Sequence, residues 1–164
     1  MTNKFVFEPD VAAKKIFVSR EFNAPVEKVW RAHTDPKLLE KWVAPKPWKI
    51  ETKTMDFRVG GVSLYAMVNP EGQKIWIYDE FTAIENESLI STLGVHCDGE
   101  GNPMLDGPKS YKDSKFLPIE GNRSKVEVLL AFEDEATIKW FVEGGFKEGT
   151  EMTLALLDEL LAAE

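Results

Sequence analysis

Apolar and polar positions alternate along most of the chain with the two-residue period of a half-buried strand, and in three stretches they change to helical spacing. Residues 15–22, Lys-Ile-Phe-Val-Ser-Arg-Glu-Phe, are rich in β-formers and predict a first strand. Val26, Val29, Trp30 and His33 then recur at helical spacing. The preceding Ala24-Pro25-Val26-Glu27 suits a helix start, with Pro25 at its first position and Glu27 near the positive end of the dipole. Asp35-Pro36 repeats the device, as cap and first residue of a second short helix carrying Leu38, Leu39 and Trp42. Pro45-Lys46-Pro47 ends the helical stretch, because proline lacks the amide donor that continuation needs.

Strand-length segments follow at 48–59, 62–68, 74–84 and 88–96, with Gly60-Gly61 at a bend and Asn69-Pro70-Glu71-Gly72 at a hairpin turn. Residues 97–123 break the rhythm with clusters of glycine, asparagine and proline, and read as a long connection, either a lid or a mobile loop. Val126, Val128, Leu130 and Phe132 alternate with Lys125, Glu127, Leu129 and Ala131 as a further strand. Ile138, Trp140 and Val142 predict the inward side of a last strand, closed by Gly144-Gly145. Residues 1–14 have no clear period and read as an N-terminal arm ahead of one domain at 15–164.

From about Thr150 the chain consists of strong helix formers, and Met152, Leu154, Leu156, Leu157, Leu160 and Leu161 spread over well over half the helix circumference. So apolar a helix requires enclosure on several sides. The predicted class is therefore α+β: a curved antiparallel β-sheet wrapped around a long C-terminal helix, with two short helices after strand one.

A chain of 164 residues that is 43% hydrophobic, with five tryptophans, can bury a substantial single core. Its formal net charge of −8 argues against nucleic acid and anionic lipid surfaces as partners. The single cysteine, Cys97, excludes an internal disulfide, and with only two histidines no metal-ligand set is visible. These features, and a first decapeptide without the apolar run of a signal peptide, fit a cytoplasmic protein. No stretch approaches the ~20 apolar residues of a membrane span, so no membrane insertion is expected. Gly60-Gly61 and Gly144-Gly145 lack the surroundings of a phosphate loop, and no cofactor is expected.

Strand, two short helices, a run of strands and a long helix is the helix-grip order, and here it carries particular words. Arg20-Glu21-Phe22-Asn23-Ala24-Pro25, with Val29-Trp30 behind it, resembles the opening of the START-like (polyketide cyclase/lipid-transport, SRPBCC) superfamily. Asp56-Phe57-Arg58-Val59-Gly60-Gly61 resembles a signature of one branch, the homologues of the activator of heat shock protein 90 ATPase. Asp35-Pro36 with Trp42, and Asn69-Pro70-Glu71-Gly72, fall where that branch keeps similar residues. The resemblance spans about residues 15–163 and implies a hydrophobic cavity between sheet and C-terminal helix. Two departures stand out: Asp79 occupies a position where the family usually has glycine, and the 97–123 connection is longer than is usual there.

If Pro70-Glu71-Gly72 forms a three-residue hairpin loop, Tyr65 faces Ile77 and Ser63 faces Asp79, placing Ser63, Tyr65, Met67, Ile75, Ile77, Asp79 and Phe81 on one face. A two-residue loop would pair Tyr65 with Trp76 and turn Asp79 to the other face. Glycine at the third loop position favours the first register, which also agrees with the side that the resemblance turns inward. The candidate ligand-binding residues are Tyr65, Met67, Ile77, Asp79, Phe81, His96, Trp140, Met152 and Leu156. On this register Trp76 and Tyr78 form an outer aromatic patch, suggesting a partner or homodimer surface.

The expected function is binding of a hydrophobic or aromatic small molecule. An alternative is a co-chaperone-like activator of the heat shock protein 90 ATPase, although eukaryotic activators carry a further domain that this sequence does not contain. A third reading is a cyclase or dehydratase using Asp79, Tyr65 or His96 as acid or base. One carboxylate with one phenol gives that reading little support, and no nucleophile motif accompanies either histidine.

Overall fold

In a computed structural model, which describes residues 3–163, the elements run β1 (Phe5–Asp10), β2 (Lys15–Phe22), α1 (Val26–Thr34), α2 (Pro36–Trp42), β3 (Lys49–Met55), β4 (Val62–Val68), β5 (Lys74–Glu85), β6 (Leu89–Val95), β7 (Lys109–Ile119), β8 (Arg123–Phe132), α3 (Glu135–Glu143) and α4 (Phe146–Ala163). The strands form one curved antiparallel sheet in the order β1-β2-β8-β7-β6-β5-β4-β3, the α+β helix-grip arrangement.

Local chemistry explains the helix starts. The Asp35 side chain accepts a hydrogen bond of 2.9 Å from the Lys37 amide, with Pro36 at the first position of α2. Trp42, at the end of α2, donates its indole N–H to the Ala32 carbonyl at 2.9 Å, which fastens α2 to α1 and satisfies a buried donor. The concave sheet face and the helices share one core to which β2, α1, α2, β5, β7 and α4 contribute Phe22, Trp30, Trp42, Phe81, Phe116 and Leu157. A second cluster of Ile16, Val18, Phe132 and Ile138 joins α3 to the β2–β8 side of the sheet.

Four expectations change. The stretch read as an arm contains β1, paired with β2 from Phe5 opposite Arg20 to Asp10 opposite Lys15; Phe5 and Phe7 pack on the second cluster. Residues 1 and 2 of that arm, and residue 164 of the predicted domain, lie outside the described residues.

The predicted last strand at 138–142 is α3. Asp134 caps it by accepting from the Thr137 amide at 2.7 Å, so Ile138 points into the core at 0% exposure while Trp140 faces outward at 71%.

Third, the 97–123 connection contains β7, Lys109–Ile119, paired with both β6 and β8. Ahead of it, residues 98–102 form a turn in which the Asp98 carboxylate accepts from the amides of Glu100 and Asn102, each at 2.9 Å.

Fourth, α4 starts at Phe146 and is covered less completely than its composition suggests. Leu157 and Leu161 are buried, but Met152 is 46% exposed.

One polar clip holds α4 against the sheet. Arg20 on β2 makes a two-pronged contact with Asp158, at 2.9 and 2.5 Å, while its guanidinium stacks over Phe22 at 5.1 Å. Asp158→Asn removes the charge and one acceptor beside a largely buried cation, so urea unfolding should show a loss of about 1–2 kcal/mol.

Candidate functional site

The Asn69–Gln73 hairpin fixes which side chains face inward. Asn69 and Gln73 bond backbone to backbone around Pro70-Glu71-Gly72, and Gly72 takes φ +85°, a left-handed conformation that suits glycine. Tyr65 therefore pairs with Ile77 and Ser63 with Asp79, the favoured register.

A cavity of about 320 Å³ lies between the concave face and the helices. The sheet supplies a largely polar floor, with Ser63 and Tyr65 from β4, Asp79 from β5, Thr92 from β6, and Lys112 and Ser114 from β7. Leu39 and Trp42 of α2, with Val43 after it, bring an apolar wall, and Ile50, Met55, Phe81, Ile90 and Phe146 extend it. Thr52 of β3, His33 of α1 and Thr153 of α4 complete the lining. The interior is thus two-sided in character, not uniformly hydrophobic.

Burial sets the electrostatics. Desolvation pushes the Asp79 carboxyl above its ordinary range, and the positive charge of Lys112 partly offsets this. Tyr65 is pushed up by desolvation and then by the neighbouring Asp79 charge, so its phenol stays protonated as a donor. His33 is pushed down to about 4, chiefly by desolvation and further by Lys112, against a raising contribution from its bond to Val29. That bond spans 2.8 Å from Nδ1 to the Val29 carbonyl. Since a carbonyl only accepts, Nδ1 carries the proton and Nε2 keeps its lone pair.

Among the expected site residues, Tyr65, Asp79 and Phe81 come together in the cavity lining. Met67 and Ile77 share their face but are not part of the lining. Leu156 packs against the main core instead, and Met152 projects outward. His96 is exposed beyond the end of β6. Trp140 lies on the outside of α3 beside a shallow hollow with Phe141 and Phe146, because the segment is a helix and not the strand that would have aimed it inward.

The outer aromatic patch is partly roofed. Trp76 donates to the Gly99 carbonyl at 3.2 Å, has Gly101 against its ring, and is flanked by the Lys53 and Lys74 ammonium groups at 5.8 and 5.7 Å from the ring centre.

Lys112, Ser114, Thr92 and His33 also line the cavity without having been singled out from the sequence. The alternation Ser110, Lys112, Ser114, Phe116 was the available signal, obscured by polar residues at its inward positions. Among the described residues no cluster of three or more potential metal ligands occurs, and no helix is long and apolar enough to cross a membrane.

The family model described as "Activator of Hsp90 ATPase homolog 1-like protein" matches residues 23–162. A solution structure of a protein from Arthrobacter aurescens is 30% identical, with a TM-score of 0.87 over 97% of this chain and 92% of that one. Protein NE0264 from Nitrosomonas europaea is 28% identical, with a TM-score of 0.79 over 93% and 96% of the two chains. Protein Ms6760 from Mycobacterium smegmatis is 25% identical, with a TM-score of 0.85 over 99% of each. No protein of curated function matches the chain.

Proposed function

The chain belongs to the Activator of Hsp90 ATPase homolog 1-like family, and on that premise we propose that it is a binding protein for an amphiphilic small molecule held between the concave sheet face and the helices. The observation that carries this reading is the cavity of about 320 Å³, within the size range of small-molecule sites, where an apolar wall faces several convergent polar groups. The single cysteine suits a reducing compartment such as the cytoplasm.

Thr52, half-buried on β3 and part of the lining, is not a member of the main core and offers a place from which to fill the space. Thr52→Trp should weaken binding of the probe 8-anilinonaphthalene-1-sulfonate at least about tenfold, with its melting temperature close to that of the unmodified protein. Equal binding by a well-folded Thr52→Trp variant would remove the cavity as the site.

The family's description favours a second reading, stimulation of a chaperone ATPase. Adding the chain to a heat shock protein 90 homologue and following ATP hydrolysis decides it: an unchanged rate removes this reading.

A further inference from the structure

A carboxyl group and an ammonium group share the sheet floor of the cavity without meeting. Asp79 and Lys112 both line it, and neither side chain makes a hydrogen bond or ion pair with another described residue, although the Lys112 charge is felt at Asp79. No fully sealed side-chain nitrogen or oxygen among the described residues lacks a hydrogen-bond partner. The unpartnered groups here therefore abut the open cavity, where a ligand can complete them.

Glycine at position 94 lets the Asp79 carboxyl group lie over the neighbouring strand. Gly94 on β6 pairs with Asp79 on one side and with Ser110 of β7 on the other. A Cβ at Gly94 would stand 3.2 Å from Asp79 Oδ1 and 2.6 Å from Ser110 Oγ, so the missing side chain is what lets these two oxygens converge over the β6 backbone. Thr92, one position along the inward side of the same strand, pairs with Lys112. The oxygens of Asp79 and Ser110 and the side chain of Lys112 thus come from neighbouring rows of one floor, opposite the apolar wall.

A ligand carboxylate would find Lys112 but be repelled by an ionised Asp79, and a ligand ammonium would meet the converse problem. A neutral head with one donor and one acceptor satisfies both groups and brings no uncompensated charge into a desolvated site. Resting on the reading of the cavity as a small-molecule site, we propose that its ligand carries a compact uncharged donor–acceptor head, of the primary carboxamide kind, which bridges Asp79 and Lys112 while an aromatic or alkyl body lies against the wall formed by Trp42, Val43 and Phe81.

Calorimetric titration with four probes sharing one ring system tests this: 2-naphthamide, 2-acetylnaphthalene, 2-(aminomethyl)naphthalene and 2-naphthoate. The carboxamide should bind about tenfold more tightly than the ketone, which keeps the acceptor and lacks the donor. Asp79→Leu should erase that advantage and leave the ketone unchanged, while Lys112→Met should weaken both carbonyl compounds about tenfold. A charged probe binding most tightly overturns the proposal, as does a carboxamide preference that persists in both variants. Equal binding of all four probes, blocked by Thr52→Trp, overturns the donor–acceptor head alone and leaves the cavity reading standing. Absence of binding by every probe, or binding that Thr52→Trp does not affect, overturns the cavity reading with it.

Discussion

Trp30→Ala is expected to destabilise the fold by about 3–5 kcal/mol, read as a fall in the urea midpoint with little change in slope. Trp30 is 8% exposed at the centre of the main core. Its ring meets Phe116 edge-on at 5.0 Å and Phe57 at 5.9 Å, and this contact chain continues from Phe116 to His33 and Trp42 and from Phe57 to Phe81. Truncation would remove a large buried area and leave a void touching α1, β7 and the Asp56-Phe57-Arg58 segment together. Since a domain's net stability is only about 5–15 kcal/mol, the loss is a large share of it. Trp140→Ala supplies the contrast: the same change on the outward side of α3 should alter stability by no more than about 0.5 kcal/mol. Similar losses in the two variants would contradict the placement of α3.

Acidification should expose the second large effect, centred on His33. Its unfolded pKa is near 6.5 and its folded value is about 4, so below 6.5 the unfolded chain takes up the proton that the folded protein refuses. Stability contributed by the neutral ring is fully present above pH 6.5. It declines as pH falls toward 4 and is lost below that, for a total of about 3 kcal/mol. Asp79 works in the opposite sense, because its raised folded pKa lets the native protein bind a proton before the unfolded chain does. The comparison that isolates the histidine is therefore between the unmodified chain and His33→Asn, which keeps a donor for Val29 and does not titrate. Unfolding free energies of the two should converge as pH drops from 6.5 to 4. Parallel curves would mean that His33 is not shielded from water.

Much of the frame was legible before any coordinates, for reasons that can be named. Asp35-Pro36 predicted a helix start because one side chain caps while the next residue needs no amide donor. The glycine of the 69–72 turn predicted a three-residue loop, and that loop placed Tyr65 and Asp79 on the concave face. The order of strands and helices carried the fold class.

What stayed hidden shares a physical cause: inward positions that are polar, or apolar positions compatible with two periods. Ile138, Trp140 and Val142 alternate as in a strand, yet Ile138, Phe141 and Val142 make an equally good helical stripe. The Asp134 cap decides between them. Strand β7 presents serine and lysine to the cavity, so its alternation had no hydrophobic signal and Lys112 went unnoticed. His33 looked incidental because nothing along the chain reveals that the end of α1 overlies the sheet floor.

The two outermost strands bear on how copies of the molecule meet. An open sheet leaves a row of unpaired backbone groups at each border, which invites edge-to-edge polymerisation unless something interrupts it. Strand β1 carries Pro9, which has no amide hydrogen to offer, and ends on Asp10. Strand β3 carries Lys49 and Lys53, and its pairing register slips between Thr52 and Thr54. Both borders are thus ill-suited to receive another strand, and any self-association would be steered toward the faces and helices, where its extent can be limited by shape.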